Sequence, residues 1–307
     1  MSLALPMIAQ RAFNTPLLWH PGKAVAALGA IGSRIAGGAI SFDQAPPPVD
    51  HVAFENGRPS MGRLTDPLGR AYDRQGRAPF DVIDGVAIIP IEGTLVHKGA
   101  WVEKNSGMTS YEGLQAQVKR AASIDAVKAV VFELDSFGGE MAGSFETAGM
   151  IRKLSAEKPT LAILTDFAYS AGYMMASQAR AIVAPEFGGA GSIGVITMHV
   201  DMSGFLEQEG VKVTLLTSGE HKADFNQFEP LPAALADKVR AELGVARRRF
   251  AETVAAGRGS RLTAAEAMAT EADAFRSPEA LDLGLIDAVS EPSEALDAFI
   301  SEIKQNR

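Results

Sequence analysis

Residues 127–176 read VKAVVFELDSFGGEMAGSFETAGMIRKLSAEKPTLAILTDFAYSAGYMMA, and this stretch decides the fold. Val127 to Leu134 is a nearly continuous apolar run rich in branched side chains, the pattern of a strand covered on both faces. It breaks at Asp135-Ser-Phe-Gly-Gly-Glu140, where two adjacent glycines let the backbone turn sharply and leave N–H groups to face a ligand. Gly139 to Leu154 then reads as helix, Thr160 to Thr165 as a second buried strand, and Ser170 to Ala179 as a second helix. Strand and helix alternating at these lengths predict a mostly parallel sheet with crossover helices, an α/β fold.

The same alternation extends both ways. Upstream, Gly85-Val-Ala-Ile-Ile-Pro-Ile91 is another buried strand, and Thr109-Ser-Tyr-Glu112 reads as a capping box opening a helix to about Ile124. Downstream, Ala181–Ala184, Ile193–Val200 and Val211–Thr217 read as strands. Leu235, Val239, Leu243, Phe250 and Val254 share one face of a long helix that Gly257 closes. Thr263-Ala-Ala-Glu266 is a second capping box, and Ser293 to Ile303 a terminal helix. Before Asp81 the pattern changes. An amphipathic helix is expected around Gly22 to Ile35, then a stiff Ala45-Pro-Pro-Pro48 linker, then an exposed loop over 55–80 with no apolar period. The predicted organisation is an N-terminal extension over 1–80 and one α/β domain over 81–307.

Composition narrows the chemistry. The 307 residues are 47% hydrophobic and 21% charged, which suits a globular chain. A net charge of −8 repels a phosphate backbone, so no nucleic-acid partner is expected. The chain has no cysteine, which excludes disulfides, thiolate metal sites and a cysteine nucleophile. The five histidines, His20, His51, His97, His199 and His221, make no metal-binding spacing, so neither metal nor cofactor is expected. No segment reaches the roughly 20 apolar residues of a membrane helix. The first ten residues lack a basic leader, so the reading is a cytoplasmic protein without a membrane partner.

Three places could carry chemistry. Asp135–Glu140 reads as a tight turn or as an oxyanion hole, in which preset amides meet developing negative charge. In Phe167-Ala-Tyr-Ser-Ala-Gly-Tyr-Met-Met-Ala176, Ser170 opens a helix and reads either as an N-cap or as a nucleophile at a helix N-terminus. Its neighbours Ala171 and Gly172 would let a substrate backbone approach, and together with Met174-Met175 they suggest a preference for small or apolar side chains in whatever binds there. In Ser218-Gly-Glu-His-Lys-Ala223, Lys222 reads as a solvated lysine or as a base whose pKa burial must lower. Gly189-Ala-Gly-Ser-Ile-Gly194 fits a dinucleotide fingerprint only formally, because a strand rather than a helix is expected after it. Ser192 is a hydroxyl that could position another group, His199 reads as structural, and His221 stays a conceivable triad base.

In order and spacing these motifs resemble one family. Strand, Ser-x-Gly-Gly, strand, Tyr-Ser-Ala-Gly-Tyr, Gly-Ser-Ile-Gly-Val, Ser-Gly-x-x-Lys and the closing Ser277-Pro-Glu-Ala-Leu-Asp-Leu-Gly-Leu-Ile-Asp287 are similar to the signal peptide peptidase A family of Ser-Lys peptidases, from about Gly85 to Val289. The resemblance implies a ClpP/crotonase-like fold, Ser170 as nucleophile, Lys222 as general base, Ser192 bonded to the lysine amine, and Gly139 and Ala171 as oxyanion donors. Phe137 stands where the family often has proline, which removes a fixed φ from the oxyanion turn. Arg11-Ala-Phe-Asn-Thr-Pro-Leu-Leu-Trp-His20 resembles the phage branch, whose prohead proteases cut scaffold, portal or capsid proteins. A homo-oligomeric ring with shared active sites is expected on the same ground. The alternatives are a cellular peptide-degrading member, a crotonase-type acyl-CoA enzyme, and a non-catalytic assembly factor.

Overall fold

The structure, a computed structural model, describes residues 17–19, 79–99 and 107–305. The helix expected around Gly22–Ile35, the Ala45–Pro48 linker and all but the last two residues of the 55–80 loop lie outside the described residues.

The expected parallel sheet is present. Strands β3 (Val86–Glu92), β6 (Ala129–Ser136), β8 (Thr160–Tyr169) and β9 (Ala181–Ala184) run parallel, with β12 (Ala288–Val289) parallel to β9. Helices α1 (Tyr111–Ser123), α2 (Ser144–Glu157) and α3 (Ala171–Ala176) make the successive crossovers. The antiparallel β2 (Asp81–Ile83) closes one edge. The long β8 pairs with β9 along Leu161–Ile163 and with β10 (Gly189–Gly191) along Phe167–Tyr169, so the sheet forks beside its last residues. The antiparallel β11 (Ala274–Arg276) covers β10.

Alternation along β6 shows why these runs read as apolar. Val130, Phe132 and Leu134 enter the main core with Leu114 and Val118 of α1, Ile151 and Leu154 of α2, and Phe250 and Val254 of α5 (Ala233–Arg258). Ala129 and Val131 face the other way, into a smaller cluster with Ile300 and Ile303 of α8 (Pro292–Gln305). Each fully buried side chain of this kind contributes about 1.5–3 kcal/mol. Between α5 and α8 lie α6 (Ala264–Ala269), opened by the expected Thr263–Glu266 capping box, and α7 (Ser277–Asp282).

A second, small sheet has the order β1-β7-β4-β5. It is made of β1 (Leu17–Trp19), β4 (Thr94–Val96), β5 (Met108–Ser110) and β7 (Gly138–Glu140). Here several expectations are corrected. Gly139 lies in strand β7, and the helix begins at Ser144, because Gly143 at φ 86 resets the chain first. The cap of α1 is Ser110, whose hydroxyl accepts from Gly113 N, while Thr109 donates its hydroxyl to the Glu92 carbonyl. Gly257 does not close α5 but lies within it, where an added methyl would come 2.1 Å from the Ser177 carbonyl oxygen. Ile193–Val200 forms one bridge, at Ile196, and Val211–Thr217 is exposed and outside any strand. The short helix α4 (Ser203–Gln208) lies between them.

Candidate active site

Strand β8 ends at Tyr169 and α3 starts at Ala171, so Ser170 alone makes the turn. Its backbone sits at φ 54, ψ −120, a conformation that costs a side-chain-bearing residue on the order of 1–3 kcal/mol. Hydrogen bonds hold it there: Ser170 N donates to Gly191 O at 2.9 Å, and Met174 N donates to Ser170 O at 2.9 Å. The side chain is fully buried, and its Oγ has no hydrogen-bond partner among the described residues. An N-cap serine would accept an amide of its own helix. Ser170 does not, so the capping explanation fails. What remains is a strained, buried, unpartnered hydroxyl at a helix N-terminus.

The adjacent parallel strand ends the same way. Ser192 follows Gly191 at φ 55, is buried, and donates its N–H to Asp273 O at 2.6 Å. Because Tyr169 pairs with Gly191, Ser170 and Ser192 leave neighbouring strand ends together. No helix follows the 189–194 glycines, which disposes of the dinucleotide fingerprint.

Strand β7 forms the opposite wall. A methyl on Gly138 would stand 2.0 Å from Leu18 O, 3.0 Å from Ser170 Cβ and 3.1 Å from Ala171 N. One on Gly139 would stand 1.8 Å from Leu95 O. Only glycine fits either position, and the Ser170 side chain meets the Ala171 amide at this glycine face. Ala171 N–H belongs to the first turn of α3, whose amides have no acceptor within the helix. Gly138 N donates to Ser136 Oγ at 3.2 Å, and Ser136 Oγ donates to Gly93 O at 2.7 Å, which fixes the turn from beneath. Phe137 is held by ring packing in place of a proline's locked φ. Its centroid lies 5.3 Å from Phe167 and 5.4 Å from Tyr169, and those two rings stack at 5.5 Å.

The closing segment grips α3 from below. Tyr173 donates its hydroxyl to Leu285 O at 2.8 Å, and burial pushes that phenol far above its ordinary pKa. Met174 and Met175 are fully buried in the main core, so they are packing side chains and not walls of a substrate pocket. Two residues past Leu285, Asp287 accepts from Arg258, Arg261 and the Ile182 amide at 2.7–3.0 Å.

Lys222 is not part of this cluster in the single chain. It is exposed in the turn after residues 211–217, with Lys222 N donating to Gly219 O at 3.2 Å, and among the described residues its ammonium makes no ion pair. His221 beside it is exposed and bonds Asp224 at 3.1 Å. His199 is structural as expected: Nε2 lies 2.7 Å from Asn226 O, and the ring meets Phe225 edge-on. Burial lowers the pKa of Lys158, and all three of its protons are directed at the carbonyls of Ala121, Ile124 and Val127. It caps α1 and is not available as a base.

Sequence reasoning missed β1. Leu17, Leu18 and Trp19 pair antiparallel with Glu140, Gly139 and Gly138, against the site itself. The only sequence signal was the apolar triplet in the segment that resembles the phage branch.

A family model described as Peptidase family S49 matches residues 152–305. The head-tail preconnector protein GP5 of Enterobacteria phage P21 is 35% identical over 98% of this chain and 58% of its own length. Capsid assembly protease C of Escherichia phage lambda is 32% identical over 99% of this chain and 69% of its own length. The chain thus spans well under the full length of both relatives. Protease 4 of Haemophilus influenzae is 26% identical over 82% of this chain. Solved structures that superpose include an enoyl-CoA hydratase/isomerase family member, with a TM-score of 0.41 and 16% identity over 73% of this chain and 74% of that one. The 1510-N membrane-bound stomatin-specific protease with a substrate peptide superposes with a TM-score of 0.39 and 17% identity, over 67% and 75%.

Proposed function

The chain belongs to peptidase family S49, and on that premise we propose that it is a serine endopeptidase that cuts scaffold, portal or capsid proteins while a phage head assembles in the host cytoplasm. The observation that carries this reading is Ser170: a buried hydroxyl, held in a strained turn, that no described residue uses. The names of the two phage relatives support the assembly role. The acyl-CoA alternative has no support from the family assignment. The assembly-factor alternative gives no reason for strain at Ser170.

In this reading Ser170 Oγ attacks the scissile carbonyl carbon and gives its proton to Lys222 Nζ. The amides of Gly139 and Ala171 receive the oxyanion. Collapse expels the amine, which takes the proton from Lys222, and a water then hydrolyses the acyl-enzyme with the lysine again as base. Ser192 orients the amine.

Lys222 must reach the serine as a neutral amine, and in one chain it stands exposed in a turn. We therefore assign it to the site of an adjacent subunit in a ring. The segment that leads to it supports this. Val211, Val213, Leu215 and Leu216 are exposed, the last by 92%, which is apolar surface that a neighbour would cover. Leu235, Val239 and Leu243 of α5 are likewise only half-buried. Burial in such an interface would lower the lysine pKa. Residues 81–307 are the peptidase domain, with 1–80 its extension.

The deciding experiment is co-expression with candidate scaffold and portal proteins, followed by mass spectrometry of the fragments. Cleavage that disappears with Ser170→Ala is expected. Fragments unchanged in that variant would refute the assignment.

A further inference from the structure

Strand β1 ends its sheet, but its outer edge is not free. On one side it pairs with β7, and on the other Leu17 exchanges both hydrogen bonds with Ile196, Leu17 N to Ile196 O at 2.8 Å and Ile196 N to Leu17 O at 2.9 Å. It therefore fills a slot between the strand that carries Gly138-Gly139 and the chain just past Ser192. Successive residues of a strand turn their peptide groups to opposite edges. With Leu17 turned to Ile196, Leu18 turns to β7, where it is paired with Gly139. The Leu18 carbonyl oxygen consequently meets the face of Gly138 at which Ser170 Cβ and Ala171 N also converge. Leu17 and Leu18 are both fully buried.

We infer that β1 is an occupant of the peptide-binding seat supplied by the chain itself, with the Leu18 carbonyl in the position of the carbonyl to be attacked. The inference rests on the reading of Ser170 as nucleophile. It adds what that reading lacks: the seat takes an extended peptide with a leucine-like aliphatic side chain on the acyl side of the cut, and substrate must displace β1 to enter. Two observations favour a removable occupant over a permanent sheet member. The strand is three residues long, and it is joined to β2 only through the long stretch from His20 to Phe80. The Ser170 Oγ, buried and without a hydrogen-bond partner among the described residues, fits an occupied seat.

The test locks the occupant in place. The native chain has no cysteine, so Leu17→Cys with Ile196→Cys supplies one possible intramolecular disulfide. A pair that exchanges both hydrogen bonds has a Cα separation of about 5.5 Å, within disulfide range. In full-length protein carrying Ser170→Ala, a fluorescein-labelled hexapeptide with the sequence Thr15–His20 is titrated by anisotropy before and after reduction. Reduction should tighten binding on the order of tenfold or more, because the oxidised occupant cannot leave. A second peptide with aspartate at the position of Leu18 should bind the reduced protein far more weakly. Failure of the disulfide to form under oxidant, equal binding in both states, no binding in either, or equal binding of the two peptides would each overturn the inference. Restoring Ser170 separates the two readings. A reduced protein, verified as assembled by native mass spectrometry, that binds the peptide tightly and never cuts it would sink the reading of Ser170 as nucleophile and leave the seat intact.

Discussion

Replacing Asp287 by asparagine removes one charge from a cluster in which the structure leaves no substitute. Arg258 is fully buried, and its guanidinium spends its hydrogen bonds on Asp287 and the Gly284 carbonyl. Arg261 and the Ile182 amide converge on the same carboxylate. An asparagine amide group would turn N–H toward N–H and leave Arg258 as an uncompensated buried cation, which costs about 3–5 kcal/mol. For a domain of this size that loss lowers the melting temperature by roughly 10 °C. The pH dependence gives an independent sign. Burial pushes the Asp287 carboxyl up, but the hydrogen bond and charge of Arg258, the Ile182 amide and Arg261 outweigh it and hold the group below its ordinary value. A depressed carboxylate stabilises the fold fully above the ordinary carboxylate range, and that contribution is lost as pH falls through its own lower value. Urea unfolding of wild type and Asp287→Asn from neutral pH down to pH 3 should therefore show two curves that converge toward acid. A loss under about 1 kcal/mol at neutral pH, or a gap that stays constant to pH 3, would refute the argument.

Other expectations bear on the site. Ser170→Ala should leave the melting temperature near wild type or slightly above it, since the buried orphan hydroxyl is removed, while proteolysis falls by several orders of magnitude; near-normal turnover would sink the nucleophile. Lys222→Arg should be as inactive as Lys222→Ala, because arginine cannot deprotonate, and a substantially active arginine variant would exclude the base role. Ser170→Ala and Lys222→Ala chains, each dead alone, should recover activity when mixed during assembly; mixed rings verified by native mass spectrometry that stay inactive would place both residues in one chain. Gly138→Ala should lose labelling by a fluorophosphonate in assembled protein, because the methyl would meet Ser170 Cβ at 3.0 Å and the φ of 94 adds strain on the order of 1–3 kcal/mol; unchanged labelling rates would contradict the packing described.

What could be read without coordinates follows from where the chain finds its partners. Strands β3, β6, β8 and β9 are buried on both faces, so their own residues carry the signal. The Thr263–Glu266 box is satisfied within four residues and was equally legible. Strand β7 was not, because two glycines carry no period and its identity comes from β1 and β4 on either side. The three residues of β1 are too few to show alternation. Residues 193–200 and 211–217 have the side chains of strands, but among the described residues the chain offers them one bridge, Leu17 to Ile196. In the site, Ser170 and Ala171 could be named from the strand-to-helix turn and the resemblance. The strain at Ser170 could not, since it depends on β10 pairing beside β8.

Val211-Lys-Val-Thr-Leu-Leu-Thr217 is chemically a strand without a sheet. It combines high β propensity with exposed aliphatic side chains and a single charge, at Lys212. Such a heptad is a template for pairing with any unoccupied edge, including the same segment of another copy. Chains at high concentration are therefore exposed to clumping through this segment. Lys212 is the one gatekeeper charge within it. In the proposed ring, solubility of the isolated chain and assembly would compete for this one surface.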